Sequence, residues 1–400
     1  METVGSLVDK LSINELKIYH MNEQIQRKDV DEKFLEDCNL RLSILKMQRD
    51  DLKEELQTLM DDVMSGKKKF KLYRQMKMYN DKKYKKTQSN FMKILITGAS
   101  GLIGNNLVKH FGSTSHELLT PSHSELDLTD RAAVLNYLRK EKPDCVIHLA
   151  AKVGSIASNA KYPLQFLLEN LDMSRNIIAS AYEVGIKKFI NIGSSCVYPA
   201  EKYSHPLTED LAVTGSFEKE NEGYSIAKAS GVLMCKYIAD ENPGYLYKTL
   251  IPCNLYGGGC YKSFMPEKAH MIESAIKKIY TAKIENLPEV QIWGDGTAKR
   301  ELIYADDLAK IIVYVAENLE KFPPVMNVGS GIEYTVNECY EIIAKILDYK
   351  GNFVHDCSKP SGTNRRLLDV SLMHKMGLNA ETSLEDGIKA TIEYYKSQIK

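Results

Sequence analysis

The 400-residue chain predicts an α/β protein: a doubly wound parallel sheet with a smaller C-terminal α/β domain, preceded by an all-α extension. Three observations carry that expectation. An apolar run, Ile94-Leu-Ile96, opens onto glycines 98, 101 and 104 and then onto a stretch of helical apolar spacing ending at Phe111. Further strand-length apolar runs, 145–151 and 189–195, alternate with helical stretches such as Pro163–Val184, and such alternation builds a parallel sheet. Ahead of Asn90–Met92 the material changes, with almost no glycine, no proline and an excess of Lys, Glu, Asp, Leu and Met.

Composition narrows the function classes. Apolar residues make up 44% and charged residues 26%, with a formal charge of zero, so no global basic footprint points to nucleic acid or a membrane surface. No apolar run reaches the ~18 residues of a membrane span, and Met1-Glu-Thr-Val-Gly lacks the basic start of a signal peptide. The eight cysteines are scattered, without a C-x-x-C pair or Cys/His metal spacing. The expectation is a cytoplasmic protein with no metal.

In the extension, Leu35, Cys38, Leu42, Leu45, Leu52, Leu56, Leu59 and Val63 keep alternating three-and-four spacing, broken at Arg49. That predicts a long amphipathic helix. Leu7, Leu11, Ile18, Met21 and Ile25 predict a shorter one before it, with the turn in 27–31 and the end at Gly66. Residues 1–66 are therefore expected as a helical hairpin or coiled coil, used for oligomerisation or to dock a protein partner. Residues 67–91 are expected as a basic linker, whose Lys67–Lys86 stretch with interleaved aromatics would suit an anionic partner as an added role.

At 98–104 each glycine has a task. One allows the tight turn, one lets the backbone approach a pyrophosphate, and one lets the helix pack close. The helix start then offers free N–H groups, Leu102, Ile103 and Gly104 among them, to phosphate. This is a Rossmann-type dinucleotide site. After the second strand, His116–Leu119, the chain reads Thr120-Pro-Ser-His123 with no carboxylate before Glu125. Lack of an acid at the ribose favours NADP(H), with Ser100, Ser122 and His123 as contacts.

Tyr224-Ser-Ile-Ala-Lys228 sets a phenol and an ammonium one helical turn apart. The lysine is expected to lower the tyrosine pKa from ~10, letting the phenol exchange protons near neutral pH. Ser194, Ser195 and Cys196 stand just past a strand end, where doubly wound sheets gather their chemistry.

Glycine loop, strand-end serine and Y-x-x-x-K together resemble the extended short-chain dehydrogenase/reductase superfamily. Ala150-Ala-Lys-Val-Gly154, Gly193-Ser-Ser-Cys-Val-Tyr-Pro199, Asn254-Leu-Tyr-Gly257, Trp293-Gly-Asp-Gly-Thr297, Arg300-Glu301, Asp306-Asp307 and Asn327-Val-Gly-Ser-Gly331 narrow this. From Met92 to about Tyr395 the chain resembles the GDP-L-fucose synthase family. The resemblance implies 3,5-epimerisation and then NADPH-dependent 4-reduction of GDP-4-dehydro-6-deoxy-D-mannose. Ser194, Tyr224 and Lys228 would serve hydride transfer, and Cys196 and His270 would be the epimerisation pair, a thiolate being a suitable base once its pKa is lowered. Ala150, Pro252, Asn254, Leu255, Lys228 and His270 would join the glycine loop around NADP(H). Lys278, Trp293, Arg300, Ser361 and Arg365 would face the GDP-sugar, with Lys359 and Arg366 adding positive charge. The domains expected are an NADP-binding half at 92–255, rejoined by 290–320, and a substrate half at 256–289 and 321–400. A homodimer through the sheet-flanking helices is implied as well.

Two departures weaken the fucose assignment. The family's arginine eight residues past the helix histidine is Lys278, and the acid of its Lys-Pro-Asp-Gly-like loop is Ser361. The alternative is an epimerase and 4-reductase, or pure 4-reductase, of another GDP-4-keto-6-deoxy sugar such as a heptose. A non-catalytic nucleotide-binding scaffold is the alternative of another class, and it predicts damage at Tyr224, Lys228 or the glycines that the sequence does not show.

Overall fold

The computed structural model describes residues 4–27, 30–68, 91–200, 205–265, 268–359 and 362–399. Ser361 and nearly all of the expected linker lie outside them. The chain divides into two compact units, Met1–Lys86 and Thr87–Lys400.

The first unit pairs α1 (Val4–Ile25) with α2 (Glu32–Met64). Leu7, Asn14 and Ile18 of α1 and Cys38 and Leu42 of α2 are buried along the seam. Asp31 caps α2 by accepting from the Phe34 N–H at 2.8 Å, and past its end Gly66 takes the left-handed conformation, φ +77°. Arg49, the break in the apolar spacing, stands in the seam with an ionic partner from each helix. Its guanidinium meets Asp50 at 2.7 Å and Glu15 of α1 at 4.0 Å.

The second unit begins with β1 (Lys93–Thr97), α3 (Leu102–Phe111), β2 (Glu117–Leu119), α4 (Arg131–Glu141) and β3 (Cys145–His148). It continues through α5 (Ile156–Lys161), α6 (Pro163–Glu183), β4 (Lys188–Ile192), α7 (Glu222–Glu241), β5 (Leu246–Pro252), β6 (Asn254–Tyr256), α8 (Met271–Ile284), β7 (Glu289–Trp293) and β8 (Lys299–Tyr304). α9 (Ala305–Glu317), β9 (Val325–Val328), β10 (Glu333–Thr335), α10 (Val336–Leu347), β11 (Asn352–Asp356), α11 (Ser371–Lys375) and α12 (Leu384–Gln398) complete it. Among the described residues the main sheet has the order β2-β1-β3-β4-β5-β9, with every pair parallel. Burial on both faces explains the unbroken apolar runs of its strands. Ile94 and Ile96 pack with Leu107 and Phe111 of α3 and Leu308, Ile312 and Val315 of α9 on one face. Leu95, between them, points to the other face, against Val134 and Leu138 of α4 and Ile177 of α6.

The later segments form smaller sheets, β10-β8-β6 and β11-β7. Beside them Ile272, Ile276 and Ile279 of α8 share a separate core with Ile343 and Leu347 of α10 and Ile388 and Ile392 of α12. No helix among the described residues is long and apolar enough to cross a membrane.

Among the described residues of this second half, the carboxyl groups of Glu273 and Glu301 are wholly out of contact with solvent. Glu301 of β8 accepts from the N–H groups of Gly331 and Leu368, each at 2.9 Å. Glu273 of α8 accepts from the Gly257 N–H at 3.3 Å through Oε1, while Oε2 has no partner among the described residues. Burial pushes both acids up to about 7. For Glu273 the folded chain holds its proton to about pH 7, whereas the unfolded chain releases it near 4.5. This contribution to stability is present below the unfolded value and is lost as the pH rises toward 7. Glu273→Gln removes the titration. Its melting temperature relative to the wild type should therefore rise by several degrees between about pH 5 and pH 8, a change of at most about 3 kcal/mol. Calorimetry at both pH values checks this, and a difference independent of pH would contradict it.

Candidate active site

The glycine loop joins β1 to α3 at the carboxyl edge of the sheet. Gly98 has φ +73°, and a Cβ there would stand 2.7 Å from the Ala150 nitrogen just past β3. A Cβ on Gly104 would stand 2.5 Å from the Ala99 Cα, so this residue sets how closely α3 seats on the loop. Gly101 is the N-cap of α3 and supplies no side chain to it, leaving the first helical N–H groups of Leu102, Ile103 and Gly104 without a capping oxygen. A dinucleotide pyrophosphate fits this bare helix start. Ala150 lines the same edge, as do Pro252 at the end of β5 and Asn254 and Leu255 on β6. The Asn254 side chain is committed, donating to the Glu301 carbonyl oxygen at 3.0 Å.

The expected phosphate contacts beyond β2 are arranged differently from the sequence reading. Glu125 folds back, its Oε2 accepting from the Ser122 N–H at 2.8 Å and hydroxyl at 2.7 Å. Those bonds hold its carboxyl below the usual range. A carboxylate therefore does reach this turn, because one turn of chain returns it where linear distance suggested separation. His123 remains exposed beside it.

Past β4 the chain turns through a short 3-10 segment, Ser195–Val197, with Ser194 as its N-cap. The Ser194 oxygen accepts from the Cys196 N–H at 3.4 Å, and its hydroxyl stands against the Cys196 thiol. Facing this turn is α7. Its Lys228 Nζ donates to the Ile192 carbonyl oxygen at 2.8 Å and lies 5.9 Å from the centre of the Tyr224 ring. Ser194, Cys196, Tyr224 and Lys228 thus come from separate stretches to one place. Their proton affinities differ from the sequence expectation. Burial raises the Tyr224 phenol and lowers the Lys228 ammonium to about 8. Loss of water is the leading cause at both groups. Cys196 is also raised, again by burial. The hydroxyls of Ser194 and Ser225 and the charges of Arg366 and Lys228 pull the other way without overcoming it.

His270 comes from a different element, the N-cap of α8. It is accessible to solvent, yet protein crowds around the imidazole and holds it below its usual value. The ring makes no hydrogen bond with the described residues, so its nitrogens are open. Lys278, two turns on, donates to the Gln291 carbonyl oxygen at 3.0 Å and lies 5.3 Å from the Trp293 ring centre. Trp293 is 38% exposed. Arg300 donates to the carbonyl oxygens of Lys299 and Thr363 at 2.8 and 2.6 Å.

Of the neighbouring arginines, Arg365 is held by Glu333 through three bonds of 2.6 to 2.9 Å. Arg366 is the one whose charge reaches both Cys196 and Arg300. The sequence reading set Arg365 toward the GDP-sugar and gave Arg366 only added positive charge, since adjacent residues on an irregular segment carry no periodicity that says which turns inward. Ser225, one residue past the tyrosine of the motif, was missed for a similar reason. Among the described residues no group of three or more His, Cys, Asp or Glu is placed to hold a metal ion.

Comparison with known proteins fits this geometry. Residues 94–329 match the NAD dependent epimerase/dehydratase family, and residues 1–72 match a protein of unknown function (DUF4254). The GDP-L-colitose synthase of Yersinia pseudotuberculosis is 46% identical over 307 residues, 77% of this chain and 99% of that one. The GDP-L-fucose synthase of Azorhizobium caulinodans is 41% identical over 303 residues, 76% of this chain and 96% of that one. A GDP-mannoheptose C4 reductase from Campylobacter jejuni, solved with NADP bound, superposes with a TM-score of 0.70 at 29% identity, covering 77% and 99% of the two chains. The chain belongs to the NAD dependent epimerase/dehydratase family, as an NAD(P)-dependent oxidoreductase and epimerase closely related to the GDP-sugar synthases.

The tight approach at Gly98 makes a specific demand. Gly98→Ala is expected to weaken binding of a reduced dinucleotide at least about tenfold, a loss of roughly 1.4 kcal/mol. Gly185→Ala has similar handedness, φ +82°, but open space around it. It should cost only about 1 kcal/mol of stability and leave binding unchanged. Fluorescence titration and thermal melts of both variants check this, and equal effects on binding would contradict it.

Proposed function

We propose that the chain reduces the C4 ketone of a GDP-linked 4-keto-6-deoxy sugar with NADPH, after epimerising a carbon beside that ketone. The observation that carries the reading is the convergence of buried Cys196 and Lys228 with half-buried Ser194 and Tyr224 at the edge that also holds the glycine loop. NADP(H) is supported by the bare start of α3 and by the NADP-bound neighbour. When bound, the nicotinamide supplies the hydride.

The residues supply the rest. A phenol raised by burial stays protonated at neutral pH, so Tyr224 is ready to give its proton to the C4 oxygen as the hydride arrives. Lys228, titrating near 8, is still largely charged at neutral pH and stabilises the phenolate left behind. The Ser194 hydroxyl can turn to hydrogen-bond the same oxygen. For epimerisation the ketone acidifies the neighbouring C–H bonds. One group removes a proton from one face and another returns a proton to the opposite face, with no net change in electrons. In the resting chain the pair is a thiol at Cys196 and a neutral imidazole at His270. A base at Cys196 would draw on Arg366 and Lys228 to stabilise the thiolate.

For the sugar itself, a sibling of the fucose precursor is the better-supported reading. Lys278 lies against Trp293 as a single-pronged cation in place of the family's arginine. The colitose enzyme is more similar to this chain than the fucose enzyme above, and the structural neighbour is a heptose reductase. A homodimer is part of the same proposal, formed by α6 and α7, which pack together and leave Leu164, Leu168, Ile226 and Tyr237 exposed. So is a protein partner for residues 1–66.

The test gives the full chain NADPH and, in turn, GDP-4-keto-3,6-dideoxymannose, GDP-4-keto-6-deoxymannose and a GDP-4-keto-heptose in D2O, with products resolved by NMR. We expect the best substrate to exceed GDP-4-keto-6-deoxymannose at least about tenfold in kcat/KM. Tyr224→Phe should slow hydride transfer about a hundredfold or more, and Cys196→Ser should suppress deuterium uptake while NADPH oxidation continues. GDP-4-keto-6-deoxymannose as best substrate would restore the fucose assignment. NADPH oxidation with none of the three would sink the reading.

A further inference from the structure

The loop Gly257-Gly-Gly259 connects β6 to the segment that leads to His270, and it is gripped from both sides. Asn105 and Asn106 lie in the first turns of α3, next to the glycine loop. The Asn105 amide nitrogen donates to the Ser100 carbonyl at 3.1 Å and to the Gly259 carbonyl at 2.7 Å. The Asn106 amide nitrogen donates to the Leu102 carbonyl at 2.8 Å and to the Gly258 carbonyl at 3.0 Å. Each uses its two N–H bonds as a bridge, one end on the glycine loop or α3 and the other on the Gly257–Gly259 loop. A primary amide offers that pair of donors on one atom, whereas a hydroxyl offers one and a carboxylate none. At the loop's other end the Gly257 N–H donates to Glu273, in the first turn of α8 behind His270.

The fit leaves no room for side chains. Gly259, at φ +119°, would carry its Cβ 2.9 Å from the Asn106 amide, and a Cβ on Gly258 would stand 2.8 Å from the Tyr394 Cβ on α12. The loop is thus wedged between α3 and α12, and its position follows α3.

We propose that Asn105, Asn106 and Glu273 are positioning residues that clasp the Gly257–Gly259 loop, fastening the dinucleotide-binding end of α3 to the end of α8 that presents His270. This rests on the reading of those two ends given above. Dinucleotide on the glycine loop stiffens α3, the two amides pass that order to the loop, and Glu273 passes it to α8. His270 is then held for proton transfer only when the cofactor that completes the reaction is present. Displacements of about 1 Å at a catalytic group can change rates a hundredfold, so a clasp of this size is sufficient.

The test compares the full-length wild type with an Asn105→Leu/Asn106→Leu double variant, which keeps side-chain size, adds no charge beside the pyrophosphate site and removes both donor pairs. Asn105→Leu alone, at an exposed position, takes its place if the double variant does not fold. The first readout is backbone hydrogen–deuterium exchange of peptides within 257–264 and 270–277, with and without NADP+. We expect exchange in the ligand-free variant to be at least about tenfold faster there, and protection by NADP+ to be present in the wild type and lost in the variant. The second readout is deuterium uptake by the GDP-keto sugar with NADP+ present, which blocks reduction. It should fall at least about tenfold, with NADP+ affinity kept within about threefold. Equal exchange in the two proteins would overturn the clasp, as would uptake and NADP+ affinity falling together. A wild type that neither binds NADP+ nor labels any of the sugars would instead overturn the functional reading, while the ligand-free exchange comparison still decides the clasp.

Discussion

The catalytic half is built around a contact that leaves no space for a side chain, the approach of the turn at Gly98 to the backbone of Ala150. That approach brings the end of β1 against the end of β3, and Gly104 lets α3 seat directly on the turn. Several later segments are placed against this edge. The turn after β4 delivers Ser194 and Cys196 to it, α7 delivers Tyr224 and Lys228, and the loop beyond β6 is tied to α3 by two asparagines.

Loss of water, more than pairing, sets the charge states of the buried groups in this half of the chain. It is the leading cause of the shifts at Tyr224, Lys228, Cys196, His270, Glu273 and Glu301. The effect favours the neutral form of each, so at rest Tyr224 is a phenol, Cys196 a thiol and His270 an uncharged imidazole. Lys228 and Arg366 are the cations whose charge reaches Cys196.

The N-terminal unit obeys different rules. Its helices bury a narrow seam, which tolerates Arg49 because ionic partners are at hand but leaves the buried Asn14 Oδ1 without a partner among the described residues. A likeness to a separate family over residues 1–72 fits the break in composition near residue 90. Two pieces of chain with different physical organisation have been joined.

Much of this was legible in the sequence. Periodicity is a local property, so the strand–glycine–helix unit, the hairpin helices and helices such as Val336–Leu347 could be read from spacing alone. The tyrosine and lysine of α7 could be paired because one helical turn separates them. Tertiary structure decided what depends on burial and on segments distant in the chain. It reversed the expected shift at Tyr224, since a lysine's attraction can be inferred from spacing but the cost of leaving water cannot. It returned Glu125 to Ser122, tied Arg365 to Glu333 while Arg366 neared Cys196, and joined Asn106 to Gly258 across 152 positions. A sequence states which groups a chain carries and how they repeat. Which of them lose their water, and beside whom, is settled only when the chain closes on itself.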